Sequence, residues 1–258
     1  LNSPDARIVR ILCEFLEPGS RFRRNRIHDT IVFFGSARVL PRDEAIADLE
    51  RLRAEIADKK RPTQDQKNAL AQAEVRVQTA RYYEDARELA ERMTAWSRAI
   101  PGGKRRFIVC SGGGPGIMEA ANRGASHAGG PSIGLNISLP FEQAPNSYQS
   151  QELAFEFHYF FVRKFWFAYL GKALIVFPGG FGTMDEMFEI LTLIQTRKTA
   201  KTMPVILYGS EYWNEVINFE ALVKWGMIKR DDLDLFRVFD DVDSAFGYLT
   251  SELTRLYL

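Results

Sequence analysis

Two glycine-rich segments hold the residue types with the clearest chemical use. The first reads Cys110-Ser111-Gly112-Gly113-Gly114-Pro115-Gly116-Ile117-Met118-Glu119 and opens a run containing Ala120, Ala121 and Ala125. The second reads Phe177-Pro178-Gly179-Gly180-Phe181-Gly182-Thr183-Met184-Asp185-Glu186. It leads into Met187, Ile190, Leu191 and Ile194, which share one helical face. Glycine removes the Cβ that would hold a phosphate or sugar away from the backbone. A helix starting behind such a turn adds free N–H groups and partial positive charge. Gly113, Gly114 and Gly116 in the first segment are therefore candidate ligand contacts. So are Gly179, Gly180, Gly182 and the Thr183 hydroxyl in the second. A tight turn that needs glycine for geometry alone is the competing reading.

The spacing also excludes chemistries. A Gly-x-Gly-x-x-Gly fingerprint from Gly112 requires glycine where Ile117 stands, and from Gly114 where Glu119 stands; no Gly-Lys-Ser/Thr triplet follows either. NAD chemistry and ATP hydrolysis are disfavoured. Glu119 suits the start of a helix as well as a ribose contact. Thr183 and Glu186 carry a similar ambiguity, because Thr-x-x-Glu at a helix start is a capping box worth ~1 kcal/mol. A carboxylate beside a phosphate loop is repelled by the phosphate unless it faces the sugar.

The elements that position these loops follow from periodicity. Apolar runs at 30–34, 107–110, 132–137, 173–177 and 204–208, with a further one at 236–239, read as strands. Helical spacing marks 116–128, 160–170, 183–197, 212–225 and 243–258. This alternation predicts a Rossmann-like, doubly wound α/β fold with a mostly parallel sheet and helices on both faces. Ligands in such folds bind beyond the carboxyl ends of the strands. Residues 42–99 interrupt the alternation. Ala45, Ile46, Leu49, Leu52 and Ile56 keep helical spacing, Arg61-Pro62 breaks it, and Thr63 with Gln66 forms a capping-box pattern. The expectation is a helical hairpin inserted at 42–99 within a single domain spanning 1–258, with a solvated outer face.

Composition bounds the partners. Hydrophobic residues are 46%, charged residues 26%, and the net charge is +1, so no whole-molecule field recruits nucleic acid or an acidic membrane. The basic run Arg21–Arg26 reads as a solvated arm. Cys13 and Cys110 are the only cysteines and, with three scattered histidines, form no disulfide framework or metal-ligand pattern. No metal and no cofactor are expected. No apolar stretch approaches the ~20 residues of a membrane span, no secretory signal is visible, and a cytoplasmic location follows as the default.

Pro178-Gly179-Gly180-Phe181-Gly182-Thr183-Met184-Asp185-Glu186 fits the Pro-Gly-Gly-x-Gly-Thr-x-x-Glu signature, and on it the chain resembles the Lonely Guy family of cytokinin-activating phosphoribohydrolases, long mislabelled as lysine decarboxylases. It is also similar in Phe33-Phe34-Gly35-Ser36-Ala37, in the first glycine segment, and in Arg163-Lys164. Phe160-Phe161-Val162 before Arg163 matches the family's longer members, whereas its shorter members carry Met-His there. The resemblance implies hydrolysis of the N-glycosidic bond of a nucleoside 5′-monophosphate, with Arg163 and Glu186 as catalytic residues. It adds Gly35, Ser36 and Lys164 to the substrate- and phosphate-binding set, and implies a homodimer or larger assembly with a small nucleotide as its ligand. In such a reaction Glu186 would face the charge developing on the ribosyl carbon. Arg163 would meet either the departing base or the phosphate. A carrier or nucleotide sensor on the same fold is the chief rival. A pyridoxal-phosphate lysine decarboxylase is a distant third, since Lys164, Lys172 and Lys198 lack an anchoring context.

Overall fold

Seven parallel strands form one sheet in a computed structural model that describes residues 3–57, 61–101, 105–140, 144–199 and 201–258. They are β1 (Thr30–Phe34), β2 (Ile108–Ser111), β3 (Ser132–Ile137), β4 (Ala154–Phe157), β5 (Gly171–Val176), β6 (Val205–Tyr208) and β7 (Arg237–Phe239). Their order across the sheet is β4-β3-β2-β1-β5-β6-β7, and every pairing is parallel. The chain thus builds outward from β1 to β4, crosses back, and builds outward again from β5. The crevice between β1 and β5 is the topological switch point, where such sheets take their ligands.

Strand residues alternate between two cores. Ile31, Phe33, Val109 and Ile175 join one apolar cluster, and Val32, Phe34, Cys110 and Val176 join the other. Burial on both faces explains why these strands read as continuous apolar runs. The first face is covered by α3 (Gln64–Ala99), α4 (Ile117–His127) and α9 (Val242–Tyr257). The second is covered by α1 (Arg7–Arg24), α5 (Phe160–Leu170), α6 (Phe181–Gln195) and, through Trp213, α7 (Ser210–Val216).

Residues 42–99 form two helices, α2 (Arg42–Ala57) and α3; residues 58–60 between them lie outside the described residues. The Thr63 capping box is present, with Thr63 Oγ1 accepting the Gln66 N–H at 3.3 Å and Gln66 Oε1 accepting the Thr63 N–H at 3.0 Å. The second half of α3 does more than extend outward. Tyr82, Tyr83, Ala86, Leu89, Ala90 and Met93 are buried against the sheet, so α3 is itself the crossover from β1 to β2.

Two sequence expectations change, and one strand stands where none was expected. The basic run Arg21–Arg26, expected as a solvated arm, begins in the last turns of α1. Phe22 is buried. The Arg21 guanidinium donates to the carbonyls of Glu152 and Ala154 at 3.3 and 3.1 Å and lies 4.2 Å from the Phe155 ring centroid, so this arginine is an anchor. The helix expected at 212–225 is two, α7 and α8 (Phe219–Lys224). Ile217 is extended between them and the Asn218 side chain accepts the Ala221 N–H at 2.9 Å, starting a new helix. Strand β4 was missed because Ala-Phe-Glu-Phe is short and no glycine or proline marks its ends.

Candidate functional site

A cavity of about 560 Å³ opens at the carboxyl end of the sheet, over the β1/β5 crevice. Both glycine segments reach it, through Gly112 and Gly114 from one side and Gly180, Gly182 and Thr183 from the other. Gly35, Ser36 and Arg38, which follow β1, lie between them in sheet order. Arg163 and Phe160 of α5 and Glu186 of α6 complete the chemically informative lining. The volume suits a drug-sized or nucleotide-sized ligand.

Backbone hydrogen bonds tie the three loops together. The Ser36 N–H donates to the Pro178 carbonyl at 2.9 Å, and the Ile117 N–H donates to the Ser36 carbonyl at 3.1 Å. The first glycine loop is further braced from below. Asn146 Nδ2 donates to the carbonyls of Gly113 and Gly114 at 2.9 and 3.0 Å and to Asn122 Oδ1 at 3.0 Å, and Gln149 Nε2 donates to the Gly113 carbonyl at 2.8 Å. Tyr212 OH braces the second loop by donating to the Gly179 carbonyl at 2.6 Å.

The glycines divide into two kinds. Gly113 and Gly116 have φ of +73° and +70°, and a Cβ on them would overlap the Asn136 side chain and the Ser36 carbonyl. Neither lines the cavity, so glycine serves the turn there. Gly180 and Gly182 differ: a Cβ on either would meet nothing within 4 Å, and neither has a positive φ. Among the described residues nothing demands glycine at these two positions, which face open cavity.

Glu186 is not a cap. Helix α6 begins at Phe181 with Gly180 as N-cap and no side-chain cap bond, which places Thr183 third in the helix and Glu186 a turn further in. Glu186 is only 5% exposed, lines the cavity, and its Oε1 accepts no hydrogen bond among the described residues. Arg163 Nη2 approaches Oε1 to 3.6 Å, and Lys164 Nζ approaches Oε2 to 3.6 Å, both beyond hydrogen-bond reach. Burial pushes the Glu186 carboxyl up to about 7, against the opposing pull of Lys164 and Arg163. Arg163 Nε is likewise buried without a hydrogen bond, and burial lowers the pKa of its guanidinium. Opposed buried charges with unused hydrogen-bonding atoms at a cavity wall are poised to receive a third polar partner.

Helix α5 is held in place by α1. Glu14 Oε1 and Oε2 accept the N–H groups of His158 and Tyr159 at 2.9 and 3.2 Å, just before Arg163 is reached. The Arg163 guanidinium lies 5.1 and 5.7 Å from the ring centroids of Phe160 and Phe167. Lys164 turns to α6, with Nζ at 2.8 Å from Asp185 and 2.7 Å from Glu189. Burial opposes its charge, but those two carboxylates prevail and raise its pKa.

The structure therefore brings together Gly35, Ser36, Gly114, Arg163, Gly180, Gly182, Thr183 and Glu186. Lys164 and Gly179 stand just behind the wall. Glu119 is directed elsewhere: its Oε1 accepts the Tyr83 hydroxyl of α3 at 2.7 Å, and it does not line the cavity. Asn136, Asp185 and Glu189 belong to the surroundings of the site and were not singled out beforehand. Their role depends on contacts between distant segments that no local spacing signals.

A family model described as "possible lysine decarboxylase" matches residues 118–249, which include Arg163 and the whole second glycine loop. The chain is 32% identical over 168 residues to a cytokinin riboside 5′-monophosphate phosphoribohydrolase of Rhodococcoides fascians, covering 64% of this chain and 81% of that one. The chain belongs to the Lonely Guy family. It is also 26% identical over 164 residues to a cytokinin riboside 5′-monophosphate phosphoribohydrolase of Arabidopsis thaliana, covering 58% and 73% of the two chains. Among solved structures it is similar to the molybdenum cofactor binding protein of Rippkaea orientalis, at 18% identity and TM-score 0.47, covering 67% of this chain and 88% of that one. The Moco carrier protein of Chlamydomonas reinhardtii is similar at 22% identity and TM-score 0.46, covering 68% and 90%. Among the described residues no helix is long and apolar enough to cross a membrane.

Proposed function

We propose that this Lonely Guy family member hydrolyses the N-glycosidic bond of nucleoside 5′-monophosphates, AMP or a cytokinin riboside monophosphate, to free base and ribose 5-phosphate. The observation that carries the proposal is Glu186: a buried carboxylate with an oxygen unpartnered among the described residues, on the wall of a cavity that also holds the open glycine turn at the start of the same helix. The phosphate lies against the N–H groups of Gly180, Gly182 and Thr183. The sugar then extends toward Glu186, because the dianion is repelled from the carboxylate. As the ribosyl bond breaks, ionised Glu186 stabilises positive charge at the anomeric carbon and orients the attacking water. Arg163 sits 3.6 Å from Glu186, at the sugar end, and so meets negative charge gathering on the departing base. Phe160 offers an aromatic face for that base.

A homodimer or larger assembly is part of the same proposal. Ile8, Leu12 and Leu16 on α1 and Phe161, Phe165 and Tyr169 on α5 leave two adjoining apolar stripes exposed, more than an isolated chain favours. A cytoplasmic setting accords with two free cysteines, one of them exposed. The test is chemical. Supplied with AMP, the protein yields adenine and ribose 5-phosphate in equal amounts, and Arg163→Ala loses turnover while remaining folded. Intact AMP after prolonged incubation, or adenosine plus phosphate as products, overturns the proposal.

A further inference from the structure

We infer that Arg38 is the residue that recognises the 5′-phosphate, and that through it the site favours a phosphorylated ribose over the free nucleoside. The inference rests on the nucleotide reading above but concerns a residue that reading does not use. Arg38 lies in the loop after β1, the central strand, and lines the cavity. That loop stands between the two glycine loops in sheet order and is bonded to both, through Ser36 to Pro178 and to Ile117. The Arg38 backbone N–H donates to Ser36 Oγ at 3.1 Å, which fixes the turn, yet its side chain is exposed and makes no ion pair or hydrogen bond among the described residues.

The charges on the cavity wall leave one vacancy that Arg38 fits. Among the described residues, three charged side chains line it: Arg163, Glu186 and Arg38. Arg163 is committed to the Glu186 end, 3.6 Å from the carboxylate. Lys164, adjacent to Arg163 in the chain, does not line the cavity and is held by Asp185 and Glu189. A phosphate at the start of α6 meets only the fractional charge of the helix terminus and therefore stays largely uncompensated. Among the described residues that line the cavity, Arg38, across the β1/β5 crevice from Gly180 and Gly182, is the cation left to close on it with a planar two-pronged donor set. Sugar chemistry and phosphate recognition are thereby divided between two arginines at opposite ends of one ligand.

The test is a ligand-observed NMR titration of the full chain with ribose 5-phosphate and with adenosine, using the natural sequence, Arg38→Gln and Arg38→Lys, alongside AMP turnover. Loss of a charge-assisted contact is expected to weaken ribose 5-phosphate about 10- to 100-fold in Arg38→Gln. Adenosine binding stays unchanged, and Arg38→Lys recovers part of the loss. Equal affinity for ribose 5-phosphate in Arg38→Gln overturns the inference, as does a parallel loss for adenosine or a natural chain that binds no ribose 5-phosphate. The parent reading fails separately: if AMP is never cleaved while Arg38→Gln selectively loses the phosphate ligand, the activity is wrong and Arg38 stands. If AMP is cleaved with an unchanged KM in Arg38→Gln, the activity stands and this inference falls.

Discussion

Replacing Glu186 with glutamine should destroy turnover and stabilise the folded chain, increasingly so as the pH rises. The carboxyl titrates near 4.5 when unfolded and is raised to about 7 by burial in the native state. The native state therefore holds the proton more tightly than the unfolded chain. Stability conferred by the protonated carboxyl is complete below 4.5, declines as the pH rises through the window from 4.5 to 7, and is gone above 7. A difference of this size corresponds to about 3 kcal/mol. Glutamine keeps the shape and carries no charge, so that penalty disappears in Glu186→Gln. Its stability relative to the natural chain should rise by about 3 kcal/mol between pH 4.5 and pH 8. In thermal melts this is a relative Tm gain of about 6–12 °C. Denaturant titrations of both proteins across that range read the quantity directly. A stability difference that stays constant from pH 4.5 to pH 8 would refute the claim that Glu186 is a desolvated carboxylate kept for chemistry.

Two further outcomes follow from the same geometry. If the ionised form of Glu186 does the work, kcat/KM for AMP should rise with pH and level off above an inflection near 7. Lys164→Met, which removes a charge that lowers the Glu186 pKa, should move that inflection to higher pH; an unmoved inflection shows that Lys164 does not act on Glu186. The two classes of glycine should also respond differently. Gly182→Ala meets no atom within 4 Å and sits in a helix, so stability should hold or rise by up to about 1 kcal/mol while AMP affinity falls. Gly116→Ala, at φ +70° and overlapping the Ser36 carbonyl, should cost more than about 1 kcal/mol of stability. Melts and AMP titrations of both variants separate ligand space from turn geometry, and comparable destabilisation by the two would erase the distinction.

The parallel sheet was legible because its strands are buried on both faces and read as unbroken apolar runs between glycine turns. Such patterns survive without tertiary knowledge. The helices of the switch were legible too, since α5 and α6 keep their apolar spacing. What escaped was non-local. Tyr82, Tyr83 and Met93 make α3 a crossover helix, yet within a charged segment their spacing resembles that of a solvated hairpin. Residues Arg7–Arg24 show a helical stripe in Ile11, Phe15 and Phe22, overshadowed by the arginines at the end. At the site, local spacing could not choose between a capping box and a catalytic carboxylate for Thr183 and Glu186. The choice is made by Gly180, which takes the N-cap position three residues earlier than the pattern suggests. The first glycine loop holds fewer ligand contacts than its composition suggests for the same reason: Gly113 and Gly116 answer to Asn136 and Ser36, which are far away in the chain.

The placement of the nucleotide is the claim on which the rest depends, and a crystal structure of Glu186→Gln with AMP measures it directly. The phosphate should rest on the N–H groups of Gly180, Gly182 and Thr183, with the anomeric carbon facing the side chain at position 186 and a water between them about 3–3.5 Å from that carbon, the near-attack range. AMP bound with its base over the glycine turn, or outside this cavity altogether, would contradict the account.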